Sequence, residues 1–381
     1  MRNVFLFLLL TAFSMSAVAQ SNEWEEVGIH NTVRGIATDG PNLWLATGDG
    51  LLKYDKQTGG QTLYNSDNSS LISNWLRGVA CIGGNVWMGT YNRGVAKFDG
   101  QKIVSYNKLG EVDIFSENQG IRGIVADAGG NLWFGGMYGL YRYDGTNWEW
   151  NPIPDSFHLA HLQVSSLAFD SDSTLWFGCI GSMHNPLGRI TRDGKMEIIQ
   201  SIGHADIDKI AIDKAGNVWY STHRNGIARF DGTTLECFTS QNSPLPTDFT
   251  FGLTIDDEDN IWFGCGSDLY KYDGERFTAY ELPTEKFVSD VLIDGDVIWV
   301  GTFGDGMFRL VNGQINNIRL IDTPTDDNPA AILPMTMSEW QTTKSAYDLQ
   351  GRRIETSNIK FQTSNLKKGV YIRDGRKMVV K

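Results

Sequence analysis

One tryptophan recurs at a nearly constant interval through most of this 381-residue chain, each time in a segment such as NLWFGGMYGLYRYDG at 131–145. The intervals between successive copies are 43, 46, 43, 43, 43 and 37 residues. The seven motif tryptophans are Trp44, Trp87, Trp133, Trp176, Trp219, Trp262 and Trp299. A period of about forty residues that carries four short β-like runs is typical of a propeller blade. The repeat therefore predicts an all-β fold, a seven-bladed β-propeller.

The four strands of one blade can be assigned in the third copy. The segments 121–127, 131–136, 139–145 and 147–150 are rich in β-branched and aromatic residues and are separated by turn residues. One four-stranded sheet cannot bury both of its faces, whereas stacked blades bury the motif tryptophans between them. We therefore expect these tryptophans to be packing residues rather than a ladder for stacking ligands.

Two segments compete for the outermost strand that completes the ring. Residues 22–29, NEWEEVGI, resemble the fourth strand of a blade and lie just before the first copy. Residues 314–320, QINNIRL, follow the last copy and could take the same place. The sequence leaves this choice open.

The first nineteen residues resemble an export signal. Residues 1–19 contain one arginine, then an apolar run, and end in the A-x-A pattern Ala17-Val18-Ala19. This order is typical of a secretory signal peptide, which is removed on export. The apolar run is too short for a comfortable membrane span, and no later segment offers one. We expect a soluble protein outside the cytoplasm.

The four cysteines do not suggest disulfides. Cys179 and Cys265 occupy equivalent positions of two repeats, and Cys81 and Cys237 lie in strands of different type. We expect four unpaired, small, buried side chains. No Cys or His spacing of a metal site is present, and no cofactor is predicted.

Charge divides the chain into an acidic body and a basic tail. The formal net charge is −12, and residues 338–381 hold ten Lys/Arg against four Asp/Glu, a net of +6. The predicted signal peptide contains one charged residue, Arg2. Residues 20–337 therefore carry a net charge of −19. An acidic body of this kind does not bind nucleic acid through its general surface.

The repeat pattern V-x-x-I-x-x-D-x-x-G-N-L-W-F-G-T-x-x-G-L-x-R-Y-D-G resembles the two-component regulator propeller repeat over residues 33–313. That repeat builds the periplasmic sensor region of hybrid signalling proteins in Bacteroidota, and the resemblance implies sensing of polysaccharide fragments. One propeller is expected here where those sensors have two, without a following membrane helix, kinase or DNA-binding module. The resemblance therefore reaches the sensor region alone.

The repeat stops after residue 321. In the basic tail, YDLQGRR, KKGVYI and the terminal KMVVK lie in two hairpin-like runs, 345–358 and 366–381. They closely resemble the C-terminal sorting segment of type IX secretion substrates. This implies passage across the outer membrane by the type IX secretion machinery, with the segment cleaved or exchanged for a surface anchor; a solvated basic tail is the alternative. The expected domains are a signal peptide at 1–19, the propeller at 20–321, a linker at 322–337 and the sorting segment at 338–381.

Departures from the consensus point to the mouth of the central channel. Five residues before the turn aspartate, or at the aligned position, three consecutive blades have arginine, Arg34, Arg77 and Arg122, each followed by Gly and then Ile or Val. The other blades have Ser165, Asp208, Phe251 and Ser289 there. Guanidinium groups bind carboxylates or sulfates through paired hydrogen bonds, and a basic mouth in an acidic body would focus anionic ligands. Salt bridges to loop acids such as Asp49 are the structural alternative.

The top face is defined here by the loops that precede each blade and those that join its second and third strands. On this assignment it carries all six histidines, His30, His158, His161, His184, His204 and His223, and the longest insertion, 179–188. Aromatic residues on the same face, Trp75, Tyr91, Tyr138 and Phe303, could stack against sugar rings. The candidate ligand-binding residues are Arg34, Arg77, Arg122, Tyr91, Arg93, Tyr138, His184, Asp208, His223 and Arg224.

Three functions fit these features. The first is a secreted or cell-surface module that binds an acidic oligosaccharide or a partner protein on the top face. The second is an enzyme, because blade 4 is also similar to the repeat of streptogramin lyases, and His184, His204 or His223 could supply a general base. A histidine and an acid converging on one top-face cleft would favour it. The third is a scaffold that makes only protein contacts at the cell surface, which predicts an exposed apolar patch. No catalytic residue is assigned.

Overall fold

The computed structural model describes residues 32–106, 120–137, 139–153, 162–181, 187–199, 206–318 and 320, and four short strands nearer the C-terminus. The chain divides into two compact units, Met1–Thr323 and Pro324–Lys381. The predicted signal peptide and linker lie outside the described residues.

Seven four-stranded antiparallel sheets form the first unit, and each keeps its strands in chain order from the channel outward. Blades 1 to 3 contain β1 (Val33–Thr38), β2 (Asn42–Thr47), β3 (Leu51–Asp55), β4 (Gln61–Tyr64); β5 (Leu76–Ile82), β6 (Asn85–Thr90), β7 (Val95–Phe98), β8 (Ile103–Tyr106); and β9 (Ile124–Ala126), β10 (Leu132–Gly136), β11 (Gly139–Tyr143), β12 (Trp148–Pro152). Blades 4 and 5 contain β13 (Gln163–Phe169), β14 (Leu175–Ile180), β15 (Leu187–Ile190), β16 (Met196–Ile199); and β17 (Ile207–Ile212), β18 (Val218–Thr222), β19 (Ile227–Phe230), β20 (Leu235–Phe238). Blades 6 and 7 contain β21 (Thr250–Ile255), β22 (Ile261–Cys265), β23 (Asp268–Tyr272), β24 (Phe277–Tyr280); and β25 (Val288–Asp294), β26 (Val297–Thr302), β27 (Met307–Val311), β28 (Gln314–Ile318). The predicted seven-bladed, all-β propeller is confirmed.

The ring is closed by contacts between the first strands of blades 7 and 1, β25 and β1. Ser289 Oγ donates to the carbonyl oxygen of Val33, and the Ile36 N–H donates to Asp290 Oδ2 at 2.9 Å. β28 is the fourth strand of blade 7, the place for which two segments competed. It comes from 314–320, whereas residues 22–29 lie outside the described residues.

The motif tryptophans lie between blades, as predicted. Six are only 3–6% exposed, and Trp133 of blade 3 is partly buried. In six blades the indole N–H donates to the turn aspartate of the same blade; these acceptors are Asp39, Asp127, Asp170, Asp213, Asp256 and Asp294. Blade 2 has Ile82 at this turn.

A basic residue directly opposite each motif tryptophan, on the third strand, covers its ring. The cationic groups lie 5.3–6.0 Å from the ring centroids and belong to Lys53, Lys97, Arg142, Arg189, Arg229, Lys271 and Arg309. The recurrent Lys or Arg of the repeat therefore packs on the indole of its own blade.

The second unit contains β29 (Ala346–Tyr347), β30 (Arg353–Ile354), β31 (Gly369–Arg373) and β32 (Arg376–Val380), ordered β30-β29-β31-β32. The pairs β29–β30 and β31–β32 fall in the two hairpin-like runs of the basic tail. Among the residues that the structure describes, none belongs to a helix long and apolar enough to cross a membrane.

Candidate ligand-binding site

A β-bulge at the entrance of the first strand positions the candidate side chains. In six blades the pairing between first and second strands shifts at this point, as between Val33 and Gly35 in blade 1. Two residues then face one on the neighbouring strand, and the extra side chain is directed away from the ladder. The seven aligned positions, called the mouth ring here, hold Arg34, Arg77, Arg122, Ser165, Asp208, Phe251 and Ser289.

Two of the three glycines that follow a mouth-ring arginine have a steric cause. A Cβ atom on Gly78 would lie 2.0 Å from the carbonyl oxygen of Arg122, on the next blade. A Cβ on Gly123 would lie 3.1 Å from Cγ of Leu167, again on the next blade. The neighbouring strand leaves little room for a side chain at Gly78 and Gly123, so these two glycines serve packing, whereas a Cβ on Gly35 would lie 3.4 Å from the Val79 backbone nitrogen, an ordinary contact. The arginines are not explained in this way.

Arg34 is an exposed cation at the channel mouth. Its Cζ lies 5.8 Å from the ring centroid of Phe303. Desolvation by the surrounding protein and repulsion from Arg122 both lower the pKa of Arg34. No carboxylate among the described residues lies within salt-bridge distance of its guanidinium group. Its charge is therefore uncompensated within that part of the chain.

Arg77 is held in place by neutral groups. Its Nη1 donates to Gln163 Oε1 at 3.0 Å, and its Cζ lies 4.2 Å from the ring centroid of Tyr91. Burial, followed by repulsion from Arg122, lowers the pKa of Arg77 to about 10. It too lacks a carboxylate within salt-bridge distance among the described residues. Arg122 also lowers the pKa of Arg34, and Arg34 contributes to the lowered pKa of Arg77, so the three charges act on one another.

Arg122 is different, because it forms an ion pair with Asp208. The Asp208 carboxylate is fully buried and also accepts the Gly252 N–H at 2.9 Å. Burial alone would raise the pKa of Asp208, but the charge of Arg122 and a hydrogen bond from His223 hold it far below its usual range. Among the described residues, a salt bridge is therefore found for one arginine of the three, Arg122, and its partner is Asp208.

His223 lies between two carboxylates. Its Nε2 is 3.3 Å from Asp208 Oδ1, and its Nδ1 is 3.5 Å from Asp206 Oδ2. Burial would lower the pKa of His223, but the bonds to Asp206 and Asp208 outweigh it and raise the pKa. A histidine and an acid thus converge on the top face, as the enzyme alternative requires. Since both ring nitrogens face carboxylates, however, the arrangement favours an imidazolium that holds blade 5 together over a free general base.

A second layer of residues lies one position further along the first strands. Here Lys209 Nζ and Asp290 Oδ1 are 3.0 Å apart and join blades 5 and 7. With Arg77, Arg122 and neighbouring backbone they line a channel cavity of about 220 Å³. The sequence analysis missed this pair, although both residues stand where four of the other blades have glycine.

Four phenylalanines of blades 6 and 7 form a continuous cluster on the top face, called the phenylalanine patch here. Phe251 lies 6.0 Å from Phe287 and 5.4 Å from Phe303, and Phe249 lies 6.2 Å from Phe287, between ring centroids. Phe249 and Phe287 are 43% and 41% exposed. The patch runs from His223, 4.8 Å from Phe251, to Phe303 beneath Arg34. Of its members, sequence reasoning had proposed a stacking role only for Phe303.

Among the remaining candidates, Tyr91 lies in the site, with its ring centroid 4.2 Å from Arg77 Cζ. Tyr91 and Arg93 are exposed on blade 2, and Arg224 is exposed on blade 5. Tyr138 and His184 lie outside the described residues, as do four further histidines: His30, His158, His161 and His204. The predicted histidine cluster therefore stays a prediction, apart from His223.

No family model and no curated protein matches the chain. Among solved structures, it is similar to the extracellular domain assigned to the hybrid two-component system BT3049 from B. thetaiotaomicron (19% identity, TM-score 0.61, covering 90% of this chain and 44% of that one). It is also similar to the GH74 xyloglucanase of Xanthomonas campestris (14% identity, TM-score 0.59, covering 76% and 53%). A third similar structure is YCF48 bound to D1 peptide (13% identity, TM-score 0.55, covering 75% and 95%). The chain spans less than half of the BT3049 domain. At these identities the similarity establishes the fold that the chain shares with them, the β-propeller.

Proposed function

We propose that this chain is a secreted or cell-surface β-propeller binding module, of the type found in the sensor region of hybrid two-component systems, and that its top face recognises an acidic oligosaccharide. The observation that carries the proposal is the pair of guanidinium groups at the channel mouth, Arg34 and Arg77, which have no carboxylate partner among the described residues.

Electrostatics support an anionic ligand. Three neighbouring cations repel one another, and among the described residues only Arg122 has a carboxylate within salt-bridge distance. A bound carboxylate or sulfate would remove that repulsion and accept paired hydrogen bonds from a planar guanidinium. The rest of the protein is acidic and would repel anions, so an anionic ligand would be directed to the channel mouth.

Sugar recognition is supported by the aromatic rings beside these cations. Tyr91 is 37% exposed next to Arg77, and Phe303 lies beneath Arg34. Aromatic faces pack against the C–H faces of sugar rings, while the guanidinium groups would hold an acidic substituent. The similarity to an extracellular domain of a hybrid two-component system is consistent with this role.

The proposed location rests on the two ends of the chain. Residues 1–19 would direct export to the periplasm, and residues 338–381 would direct passage across the outer membrane by the type IX secretion machinery. Deletion of 338–381 is expected to leave the protein in the periplasm. Its unchanged appearance at the cell surface or in the medium would contradict this assignment.

The ligand is tested by isothermal titration calorimetry with uronate-containing and sulfated oligosaccharides, each matched to a neutral one of equal length. Wild type is expected to bind an acidic member, and Arg34→Gln/Arg77→Gln to bind it at least tenfold more weakly, about 1.4 kcal/mol. Arg276→Gln is the matched control, because the Arg276 side chain is 82% exposed in the turn between β23 and β24, on the opposite face of the ring. Equal affinity for neutral and acidic members, or for wild type and the double variant, would refute the proposal.

A partner protein is a second candidate ligand, and the phenylalanine patch favours it. The exposed side chains of Phe249 and Phe287 form a surface that is more apolar than an oligosaccharide site requires. Contiguous exposed apolar groups often mark protein contacts. YCF48, a propeller of similar fold, is bound to a peptide. Loss of a cross-linked cell-surface partner in Phe249→Ser/Phe287→Ser, with acidic oligosaccharide binding retained, would support this candidate.

A further inference from the structure

One position of the repeat breaks its pattern in blade 3. The fourth strand carries a residue that pairs with the first hydrophobic residue of the third strand; the seven occupants are Tyr64, Tyr106, Asn151, Ile199, Phe238, Tyr280 and Ile318. In four blades the aromatic ring here lies 5.3–6.2 Å from the motif tryptophan of its own blade. The isoleucines pack in the same inter-blade clusters. Asn151 has neither the aromatic ring nor the aliphatic side chain of the other six.

Blade 4 also has a smaller side chain than the other blades at its interface with blade 3. Five motif tryptophans contact a Phe or Tyr on the third strand of the next blade; the pairs are Trp44–Phe98, Trp87–Tyr143, Trp176–Phe230, Trp219–Tyr272 and Trp299–Tyr54. The aligned residue facing Trp133 is Ile190. Two large rings are therefore absent from the interface between blades 3 and 4.

The result is an open cleft with an unsatisfied donor. A cavity of about 610 Å³, called the blade 3–4 cleft here, lies between these blades and is lined by Trp133 and Asn151. Trp133 is the only partly buried member of the seven motif tryptophans, all of which the structure describes. The amide nitrogen of Asn151 is buried and has no hydrogen-bond partner, the one such side-chain atom among the described residues. A buried donor without a hydrogen-bond partner is costly in free energy, so an acceptor is expected beside it.

The chemistry of the lining indicates what that acceptor belongs to. Trp133, Phe169, Leu175, Ile190 and Met196 form an apolar floor. The charged groups balance, with Arg142 and Arg192 against Asp127 and Glu149, and Arg142 pairs with Glu149 at 3.3 Å. Unlike the mouth ring, the lining of this cleft carries no net charge. An uncharged ligand with an apolar ring face and several oxygen atoms would match it, and the volume lies within the range of about 300–1,000 Å³ that is usual for ligand sites.

We propose that the blade 3–4 cleft is a second carbohydrate site, which binds a neutral saccharide unit. The Asn151 side chain, which lines the cleft, rotates so that its buried amide donates to a ring or hydroxyl oxygen, and the apolar face of the sugar lies against Trp133 and Phe169. Asp127 and Glu149 are placed to accept from hydroxyl groups at the rim. This site is independent of the acidic ligand proposed for the top face.

The test uses a substitution that restores the repeat. Asn151→Tyr introduces the residue of blades 1, 2 and 6, fills the cleft and removes the unsatisfied donor, so it is expected to fold and to raise the melting temperature. Binding of neutral hexasaccharides of β-glucan, xylan, mannan and α-glucan type is measured by calorimetry on the full exported chain. At least one is expected to bind wild type and to lose tenfold or more in affinity in Asn151→Tyr. Asn316→Tyr, at an exposed position of β28, is the matched control and should bind as wild type does.

Two further measurements separate the possible outcomes. Asn151→Ala keeps the cleft open but removes the donor, and should also weaken binding, whereas Arg34→Gln/Arg77→Gln should leave it unchanged. The Trp133 indole N–H resonance should shift on titration in wild type only. Failure of all four hexasaccharides to bind wild type, or equal binding by Asn151→Tyr, overturns the proposal and leaves a packing gap filled by water. Acidic oligosaccharide binding by Asn151→Tyr is expected to be normal, so the two sites are tested separately.

Discussion

The guanidinium group of Arg122 donates to the fully buried carboxylate of Asp208, and this pair joins the first strands of blades 3 and 5 across the strand of blade 4. Removing one member of a buried ion pair leaves the other without compensation. Asp208→Asn is therefore expected to lower the free energy of unfolding by about 3–5 kcal/mol in urea denaturation. Asp172→Asn, in an exposed turn, should change it by less than about 0.5 kcal/mol. A similar small change in both variants would remove the structural role of the pair.

The pH dependence of stability should carry the signature of His223. Its pKa is raised in the folded state, so its contribution is complete below the unfolded value of about 6.5 and is lost as pH rises through the folded value. Wild type minus His223→Gln should therefore give a stability difference that shrinks above about pH 6.5. Denaturation series from pH 5.5 to 8.5 measure this difference. A difference that grows with pH would show that the imidazole is neutral in the fold.

Arg34 is expected to lower the free energy of unfolding of the wild-type protein. Folding desolvates it and brings it near Arg122, while no described carboxylate compensates its charge. Arg34→Gln is expected to raise the free energy of unfolding by only about 0.2–0.5 kcal/mol, because solvent screens an exposed guanidinium group. The gain should be smaller in 1 M salt, because screening weakens the repulsion in wild type. Destabilisation by Arg34→Gln would mean that a packing contact such as that with Phe303 dominates.

The turn aspartates should anchor the blades. Asp256 accepts from the Trp262 indole at 2.8 Å and from the Asn260 side chain and backbone. Burial would raise the pKa of Asp256, but these bonds outweigh it and lower the pKa. Asp256→Ala is expected to cost about 1–3 kcal/mol, the desolvation penalty of orphaned donors. Asp257→Ala, next to it, provides the comparison and should be nearly neutral in the same thermal and urea measurements.

The cysteines should be unreactive until the protein unfolds. All four are free, and burial is the main cause that raises the pKa of Cys81 and of Cys265 to about 12. Because the thiolate is the reactive form, labelling by a disulfide reagent at pH 8 should be roughly a hundredfold or more slower in the native protein than in denaturant. Rapid labelling of a native cysteine would contradict this burial.

Much of the fold follows from periodic residues. The tryptophan interval predicts seven blades because each indole must be covered by the next sheet, and the structure has that arrangement. The first strand of blade 3 is shorter than the predicted segment 121–127. Arg122 lies at the bulge, and regular pairing begins only at Ile124. The alternation of apolar and polar residues in the sequence does not indicate this later start of the strand.

The site was predictable only in part. Aligning the copies placed Arg34, Arg77 and Arg122 on one ring, but the partner of Arg122 lies 86 residues away on the blade after next. Such a contact depends on ring curvature, which a linear repeat does not encode. The phenylalanine patch draws on loops of two blades for the same reason. Asn151 is a different case, because alignment of the fourth strands would have exposed it as the one polar occupant of a packing position.

The Lys209–Asp290 bridge has a consequence for how a polymer could approach. It lies one residue beyond the mouth ring and joins blades 5 and 7 across the channel. An acidic glycan that bound the mouth-ring arginines from the top face, as proposed, would meet this ion pair directly behind them. Its acidic group would then be held at the outer end of the channel, so a pendant group anywhere along a long polysaccharide could bind without a free chain end.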